Sequence, residues 1–102
     1  MNGSNEKIFN LLTIGRKAGR IVMGFDSVKD AVINRKAKLV LLAADISAKT
    51  AKETRFFADK HDIPVIQLTV QISDFEFGIG KKVGVVGICD EGFAKKMTEL
   101  TE

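Results

Sequence analysis

Two short, uninterrupted apolar runs constrain the fold of this chain more than any other feature. They are Leu39–Ala44 (LVLLAA) and Val83–Ile88 (VGVVGI). Runs of this length without polar alternation predict strands that are covered on both faces of a sheet. Because segments of helical periodicity surround these runs, we expect the sheet to lie between two layers of helices.

The remaining segments complete an alternation of helices and strands. Two shorter extended segments, Arg20–Val22 and Val65–Leu68, add a first and a third strand. Apolar residues at helical spacing predict five helices, at Asn5–Lys17, Asp26–Arg35, Lys49–His61, Ser73–Phe77 and Glu91–Leu100. Asp26 or Ser27 is the expected N-cap of the second helix, and Ser73 that of the short fourth one.

Together these elements predict an α/β fold, a three-layer α/β/α sandwich around a small mixed four-stranded sheet. A length of 102 residues suits one hydrophobic core system, so we expect a single domain over residues 1–102. No apolar run approaches the roughly 20 residues of a membrane helix. The first ten residues also lack the basic start and apolar centre of a signal peptide. A single cysteine, Cys89, fits a reducing compartment, and we expect a cytoplasmic protein.

Positive charge is concentrated in the first half of the chain. Residues 1–55 carry eleven Lys and Arg against five Asp and Glu, whereas residues 56–102 carry five against eight. The stretch Gly15–Asp45 places basic residues before and after one predicted helix. This asymmetry indicates an anionic partner, and structured RNA is the partner that suits it best. Ordinary solvated surface lysines are the alternative, which charge alone leaves open.

Candidate catalytic groups are few and scattered. His61 stands alone near a helix end, and Cys89 follows a buried strand, where a thiol usually packs as a small apolar group. One His and one Cys do not supply the ligands of a zinc site. We therefore expect no metal and no cofactor.

Acidic residues after two strands and a glycine-rich segment keep an enzymatic alternative open. Asp45 and Asp90 follow apolar strands, where α/β enzymes hold carboxylates, although turn and cap roles are also common for them. Gly78–Gly84 leads into a strand, whereas a phosphate loop opens a helix. A small nucleotide-binding module or enzyme that uses Asp45 and Asp90 is the alternative hypothesis.

The segment from Gly24 to Lys29 opens the second predicted helix. Gly24 permits a backbone conformation that allows a partner to approach closely, and the helix start presents unpaired N–H groups. Asp26 and Ser27 are able to hydrogen-bond to base edges. In the alternative interpretation, Asp26 is occupied in capping its own helix.

Several motifs, in this order, resemble the ribosomal-protein seven-Ae and thirty-e family, and most closely its bacterial YlxQ-type branch. The resemblance runs from about Lys7 to Met97. It is carried by GRKAGRIVMGFDSVKDAV, AKLVLLAADIS, Ile63-Pro64-Val65, FEFGIGK over Phe75–Lys81, and DEGFAKK from Asp90. It implies a three-layer α/β/α fold that binds kink-turn RNA or a related internal loop, often as a component or companion of the ribosome.

The resemblance also implies which residues contact RNA. Family members use a Gly-x-Asn-Glu turn to contact sheared G·A pairs, and this places Gly24, Asp26 and Ser27 at the family's Gly, Asn and Glu. A loop before the last strand, which shields an extruded nucleotide, corresponds to Lys81, Lys82 and Val83. The family's following lysine falls on Asp30 here, and its usual Leu-Gly is Phe75-Glu76.

The leading prediction is a non-enzymatic binder of structured RNA that is a monomer when free. Its predicted RNA-binding residues are Arg16, Lys17, Arg20, Gly24, Phe25, Asp26, Ser27, Lys29, Lys81, Lys82 and Val83. Stacking on single strands is less favoured, because the chain has no Trp or Tyr and its seven Phe are expected in the core. A module whose basic face binds an acidic protein is a third hypothesis.

Overall fold

The described residues form five helices and four short strands. The computed structural model describes residues 3–102; Met1 and Asn2, where the segment inspected for a signal peptide begins, lie outside them. In chain order the elements are α1 (Gly3–Lys17), β1 (Ile21–Met23), α2 (Phe25–Ile33), β2 (Leu39–Leu42), α3 (Ala48–Lys60), β3 (Val65–Gln67), α4 (Ile72–Ile79), β4 (Val85–Ile88) and α5 (Glu91–Thr101). No helix within residues 3–102 is long and apolar enough to cross a membrane.

The four strands form one mixed sheet in the order β1-β4-β2-β3. β4 runs antiparallel to both β1 and β2, whereas β2 and β3 are parallel. The two central strands are the two apolar runs of the sequence, and their register pairs Leu39 with Ile88 and Leu42 with Val85. A central position explains why both runs lack polar alternation, since each face of the sheet is covered by helices.

Two hydrophobic cores lie on opposite faces of the sheet. Leu39 and Leu41 of β2 pack in a core with α1, α4 and α5, whereas Val40 and Leu42 pack in a core with α2 and α3. Successive residues of a strand point to opposite faces, so one strand supplies both cores. The three-layer α/β/α sandwich and the mixed four-stranded sheet are thereby confirmed.

The start of α2 differs from the prediction. The helix begins at Phe25, and its N-cap is Gly24, with φ 98° and ψ 152°. Asp26 and Ser27 therefore lie inside the first turn, and no side chain forms the cap hydrogen bond. The predicted N-cap at Asp26 or Ser27 is wrong, because Gly24 takes the cap position two residues before Asp26.

The fourth helix is longer than predicted and begins earlier. The sequence suggested one turn over Ser73–Phe77 capped by Ser73, whereas α4 runs from Ile72 to Ile79 with Gln71 as its N-cap. The Ile72 N–H donates to Asp45 Oδ1 at 2.8 Å, and the Gln71 N–H donates to Asp74 Oδ2 at 2.8 Å. Asp45 is remote in sequence, so local pattern did not reveal this helix start.

The prediction that the phenylalanines all belong to the core is wrong for two of the seven. Phe9, Phe57 and Phe75 are buried, and Phe25 and Phe93 are half-buried. Phe56 and Phe77, however, are 71% and 88% exposed. Phe56 comes one residue before buried Phe57, and Phe77 comes two residues after buried Phe75. At these offsets the turn of the helix directs the side chain to the outer face.

Candidate nucleic-acid interface

The start of α2 and the loop before β4 lie side by side at one end of the sheet. The antiparallel register pairs Met23 with Val86, and the Gly24 N–H donates to the Val85 carbonyl at 2.9 Å. The turn of residues 24–27 is therefore adjacent to the loop of residues 80–84. The structure thus brings together two predicted site segments that are more than fifty positions apart in sequence.

The first turn of α2 leaves polar groups available to a partner. The first intrahelical bond runs from the Val28 N–H to the Gly24 carbonyl at 3.0 Å, so the N–H groups of Phe25, Asp26 and Ser27 precede it. Asp26 and Ser27 are exposed, and neither side chain caps the helix. The alternative interpretation, in which Asp26 caps its own helix, is wrong.

The 80–84 loop exposes two lysine side chains and buries its valine. Lys81 and Lys82 are exposed, whereas Val83 is 9% exposed and packs in the core beside α1, α4 and α5. Val83 thus offers little exposed surface to a ligand at this loop. A side chain at Gly84 would collide with Ile46. Close packing therefore explains the glycine at this position without a bound phosphate.

Two cations at the end of α1 lie beside the same loop. The Arg16 guanidinium donates to the carbonyl of Ile79, the last residue of α4, and Lys17 lies in the same surface depression. A cation at a helix C-terminus interacts favourably with the helix dipole. Arg16 therefore has a structural partner, and it is exposed toward solvent as well.

Arg20 does not join this group. Ile21 pairs with Ile88, and the Cys89 N–H donates to the Arg20 carbonyl at 2.8 Å. These contacts place Arg20 at the opposite end of β1 from Gly24, about 13 Å away at roughly 3.3 Å per strand residue. It lies near Lys38, whose N–H donates to the Ile88 carbonyl at 2.7 Å.

Phe25 and Lys29 face α3. The Phe25 ring contacts the Phe57 ring edge-on, with centroids 5.7 Å apart, and this contact helps to hold α2 on α3. Lys29 is exposed and lines a groove between the two helices. Asp30 is exposed on the same helix. Phe75, which stands at the position of the family's usual leucine, is a buried residue of α4 and does not lie in the loop.

Sequence reasoning missed the groove between α2 and α3. Its α3 side is formed by Lys49, Lys52, Glu53, Phe56 and Lys60. These positions recur at three- and four-residue intervals, which places them on one helix face. The spacing was present in the sequence, but a facing stripe on α2 becomes visible only when the two helices are packed together.

The two acidic residues of the enzymatic alternative lie at opposite ends of the sheet. Asp45 follows β2 and Asp90 follows β4, and these two strands are antiparallel. Each carboxylate already has a structural role. Asp45 Oδ1 accepts from the Ile72 N–H at the start of α4, and Asp90 Oδ1 caps α5 by accepting from the Phe93 N–H at 2.9 Å. No group of three or more His, Cys, Asp or Glu within residues 3–102 is placed to hold a metal ion.

The two remaining candidate groups occupy the structural roles that were considered for them. Cys89 packs against the α2–α3 core, and this burial raises the pKa of its thiol, although Lys36 and Lys38 act in the opposite direction. A raised pKa disfavours the thiolate, which is the nucleophilic form. His61 is the C-cap of α3, and its backbone N–H donates to the Ala58 carbonyl at 3.1 Å.

Comparison with known proteins matches almost the whole chain. The model of the ribosomal protein L7Ae/L30e/S12e/Gadd45 family matches residues 6–98. The RNA-binding protein YlxQ of Enterococcus faecium is 34% identical over 98% of this chain and 96% of its own length. YlxQ of Bacillus subtilis is 31% identical over 92% of this chain and 94% of its own length. The large ribosomal subunit protein eL30 of Candida albicans is 29% identical over 89% of this chain and 88% of its own length.

Solved structures share the fold. A protein with unknown function from Bacillus halodurans superposes with a TM-score of 0.86 at 29% identity, covering 93% of this chain and 96% of that one. The Giardia lamblia 15.5kD RNA binding protein superposes with a TM-score of 0.76 at 16% identity, covering 99% of this chain and 87% of that one. The family match over residues 6–98 and two YlxQ relatives above 30% identity establish that this chain belongs to the ribosomal protein L7Ae/L30e/S12e/Gadd45 family, in its YlxQ branch.

Proposed function

We propose that this protein is a non-enzymatic binder of structured RNA that recognises a kink-turn or a related internal loop. The observation that carries the proposal is the uncapped start of α2, held by the Gly24–Val85 hydrogen bond beside the exposed Lys81 and Lys82. Membership of a family that includes proteins named as RNA-binding and ribosomal supports it. The protein acts as a monomer when free and as a component or companion of the ribosome.

The 24–27 turn supplies the contacts to bases. Asp26 accepts hydrogen bonds from exocyclic amino groups, and the Ser27 hydroxyl both donates and accepts. The N–H groups of the first turn of α2 add donors for a base edge or a phosphate oxygen. Because Gly24 has no side chain, the RNA backbone approaches this turn closely.

Exposed cations around the turn supply the contacts to phosphates. Lys81 and Lys82 lie on one side of it, with Arg16 and Lys17 beyond them, and Lys29 lies one helical turn into α2. Phosphate contacts position an RNA without specifying its sequence. Arg20, one strand length away, reaches only a more distant phosphate of the same RNA.

Ser27 and Asp30 shape the specificity of this site. Ser27 is shorter than the family's glutamate, and exposed Asp30 stands where the family has a lysine. An acid at position 30 repels a phosphate that approaches it, while Lys29 offers a neighbouring cation. These two positions therefore favour an internal loop whose backbone follows a different path from that of the commonest kink-turns.

Removing the Ser27 hydroxyl reduces discrimination between RNAs. We expect the protein to bind a kink-turn stem more tightly than the same stem with its G·A pairs replaced by Watson–Crick pairs. Ser27→Ala lowers this preference by roughly 3- to 10-fold, which is the loss of about one hydrogen bond. Filter binding or fluorescence anisotropy on both stems measures it. Equal affinity of the unaltered protein for the two stems contradicts recognition of the G·A motif.

Removing the Lys82 charge weakens all RNAs alike. Lys82→Ala lowers affinity for both stems by a similar factor and reduces the slope of log K against log salt by about 1, because one phosphate contact is lost. Lys95→Ala is the matched control, since Lys95 is an exposed lysine on α5. An unchanged slope for Lys82→Ala, or an equal change for Lys95→Ala, places the RNA elsewhere on the protein.

Two other functions are separable from this one. A nucleotide-binding module or enzyme needs Asp45 and Asp90 in one site, and the antiparallel strands keep them at opposite ends of the sheet. A module for an acidic protein partner uses the same cations without RNA. Co-purification of partners with and without ribonuclease treatment distinguishes it, since a protein partner remains bound after the RNA is destroyed.

A further inference from the structure

A basic groove lined partly by apolar side chains runs between α2 and α3. On the α2 side it is lined by Phe25, Lys29 and Ile33, at intervals of four residues. The facing stripe of α3 carries Lys49, Lys52, Glu53, Phe56 and Lys60, with His61 at its end. The groove has a volume of about 640 Å³. That volume lies within the range of sites that hold small organic ligands, so a nucleotide fits into it.

Apolar groups in this groove are left open to solvent. Phe56 is 71% exposed and Ile33 is 46% exposed, while the Phe25–Phe57 ring pair lies between the helices. Single exposed apolar residues are common on protein surfaces, but here an aromatic ring and an aliphatic side chain line the same depression. Grouped exposure of this kind indicates a surface that a ligand covers.

The charge of the groove indicates that the ligand is an anion. Four lysines line it against a single acid, Glu53. Lys49 and Lys52 precede Phe56 on one face of α3, so cations stand next to the exposed ring. Cations that follow a backbone together with an aromatic ring on which a base stacks are the features of surfaces that bind single-stranded nucleic acid.

The groove is continuous with the proposed RNA site. Phe25 is the first residue of α2, directly after Gly24, and Lys29 lies one turn further on. Both residues line the groove, and both belong to the predicted interface. A strand that leaves an internal loop bound at the 24–27 turn therefore enters the groove beside Phe25 and Lys29.

From this continuity we infer that the α2–α3 groove binds an unpaired RNA strand that flanks the internal loop. One base stacks on Phe56, and the neighbouring phosphates on one side of it contact Lys49 and Lys52. This inference rests on the proposed function, because the internal loop at the 24–27 turn sets where the strand enters. It gives the protein specificity for a stem that carries a single-stranded extension.

The test compares one kink-turn stem with and without an unpaired oligouridine tail on the strand that exits at α2. A tail of about six nucleotides is within the site sizes of single-strand-binding folds. We expect the tail to raise affinity about tenfold through stacking and phosphate contacts. Phe56→Ala removes this gain and leaves affinity for the tailless stem unchanged. Lys52→Glu also removes the gain.

The matched control is Phe77→Ala, which removes the other exposed phenylalanine, on α4 at the opposite face of the sheet. This variant retains the full gain from the tail. The inference is overturned by a tail that adds no affinity, by a gain that survives Phe56→Ala, or by an acidic peptide that occupies the groove in place of RNA. Binding of the tailless stem is read separately, and its absence contradicts the proposed function itself.

Discussion

Phe75→Ala lowers the free energy of unfolding by about 3–5 kcal/mol, the usual effect of removing a fully buried phenylalanine. Phe75 is 0% exposed and lies in the core formed with α1 and α5. Its ring contacts Phe9 edge-on, with centroids 5.4 Å apart. Alanine removes this contact and leaves a cavity that the neighbouring helices fill only in part. Denaturation with urea, followed by circular dichroism, measures the change.

The same substitution two residues further on is the control. Phe77 lies on the same helix and is 88% exposed, so Phe77→Ala changes the free energy of unfolding by no more than about 0.5 kcal/mol. Comparable losses in the two variants contradict the position assigned to α4. A loss below about 1 kcal/mol for Phe75→Ala does so as well, since it excludes a packed ring at this site.

Gly24→Ala weakens both the fold and the binding of RNA. At φ 98° and ψ 152°, Gly24 has a conformation that is essentially restricted to glycine, and a side chain there costs about 1–3 kcal/mol. No atom beyond the adjacent residues lies within 4 Å of the position that a Cβ takes, so the cost comes from the backbone and not from a collision. Relief of this strain shifts the start of α2. We expect RNA affinity to fall at least about tenfold, as the contacts to base edges lose their alignment.

Gly19→Ala is the control for this variant. Gly19 also has a positive φ, 70°, and open space around its Cβ position, but it lies before β1, away from the 24–27 turn. Its substitution costs about 1–2 kcal/mol of stability and leaves RNA affinity close to that of the unaltered protein. Calorimetric or chemical unfolding, together with anisotropy on one RNA, separates the two effects. Retained affinity in Gly24→Ala contradicts the proposed role of the turn.

Local pattern was sufficient for the architecture and insufficient for the starts of two helices. The apolar runs at β2 and β4 have no polar alternation because both faces are covered, so the sequence alone indicates a central position. The start of α4 was misplaced because the hydrogen bond from Ile72 goes to Asp45, which belongs to another loop. The start of α2 was misplaced because an unusual backbone conformation at Gly24 replaces a capping side chain.

Composition alone also misjudged the phenylalanines. A sequence with seven Phe and no Trp or Tyr suggested that every ring belongs to the core. Phe56 and Phe57 are adjacent, however, and a helix turns by about 100° per residue, so only one of them faces the sheet. Helical periodicity places Phe57 on the inner face with Thr54 and Ala58, but what lies opposite the exposed Phe56 ring depends on how α3 packs on α2.

The sequence by itself determined the class of the fold, the order of its elements and the segments with which an RNA partner is expected to interact. Periodicity and apolar runs are local properties, and they are sufficient for those conclusions. Only the tertiary structure decided which segments meet. The antiparallel pairing of β1 with β4 brings the 24–27 turn to Lys81 and Lys82, and it carries Arg20 to the other end. Strand direction and helix packing are set by contacts between distant residues, and no local pattern contains them.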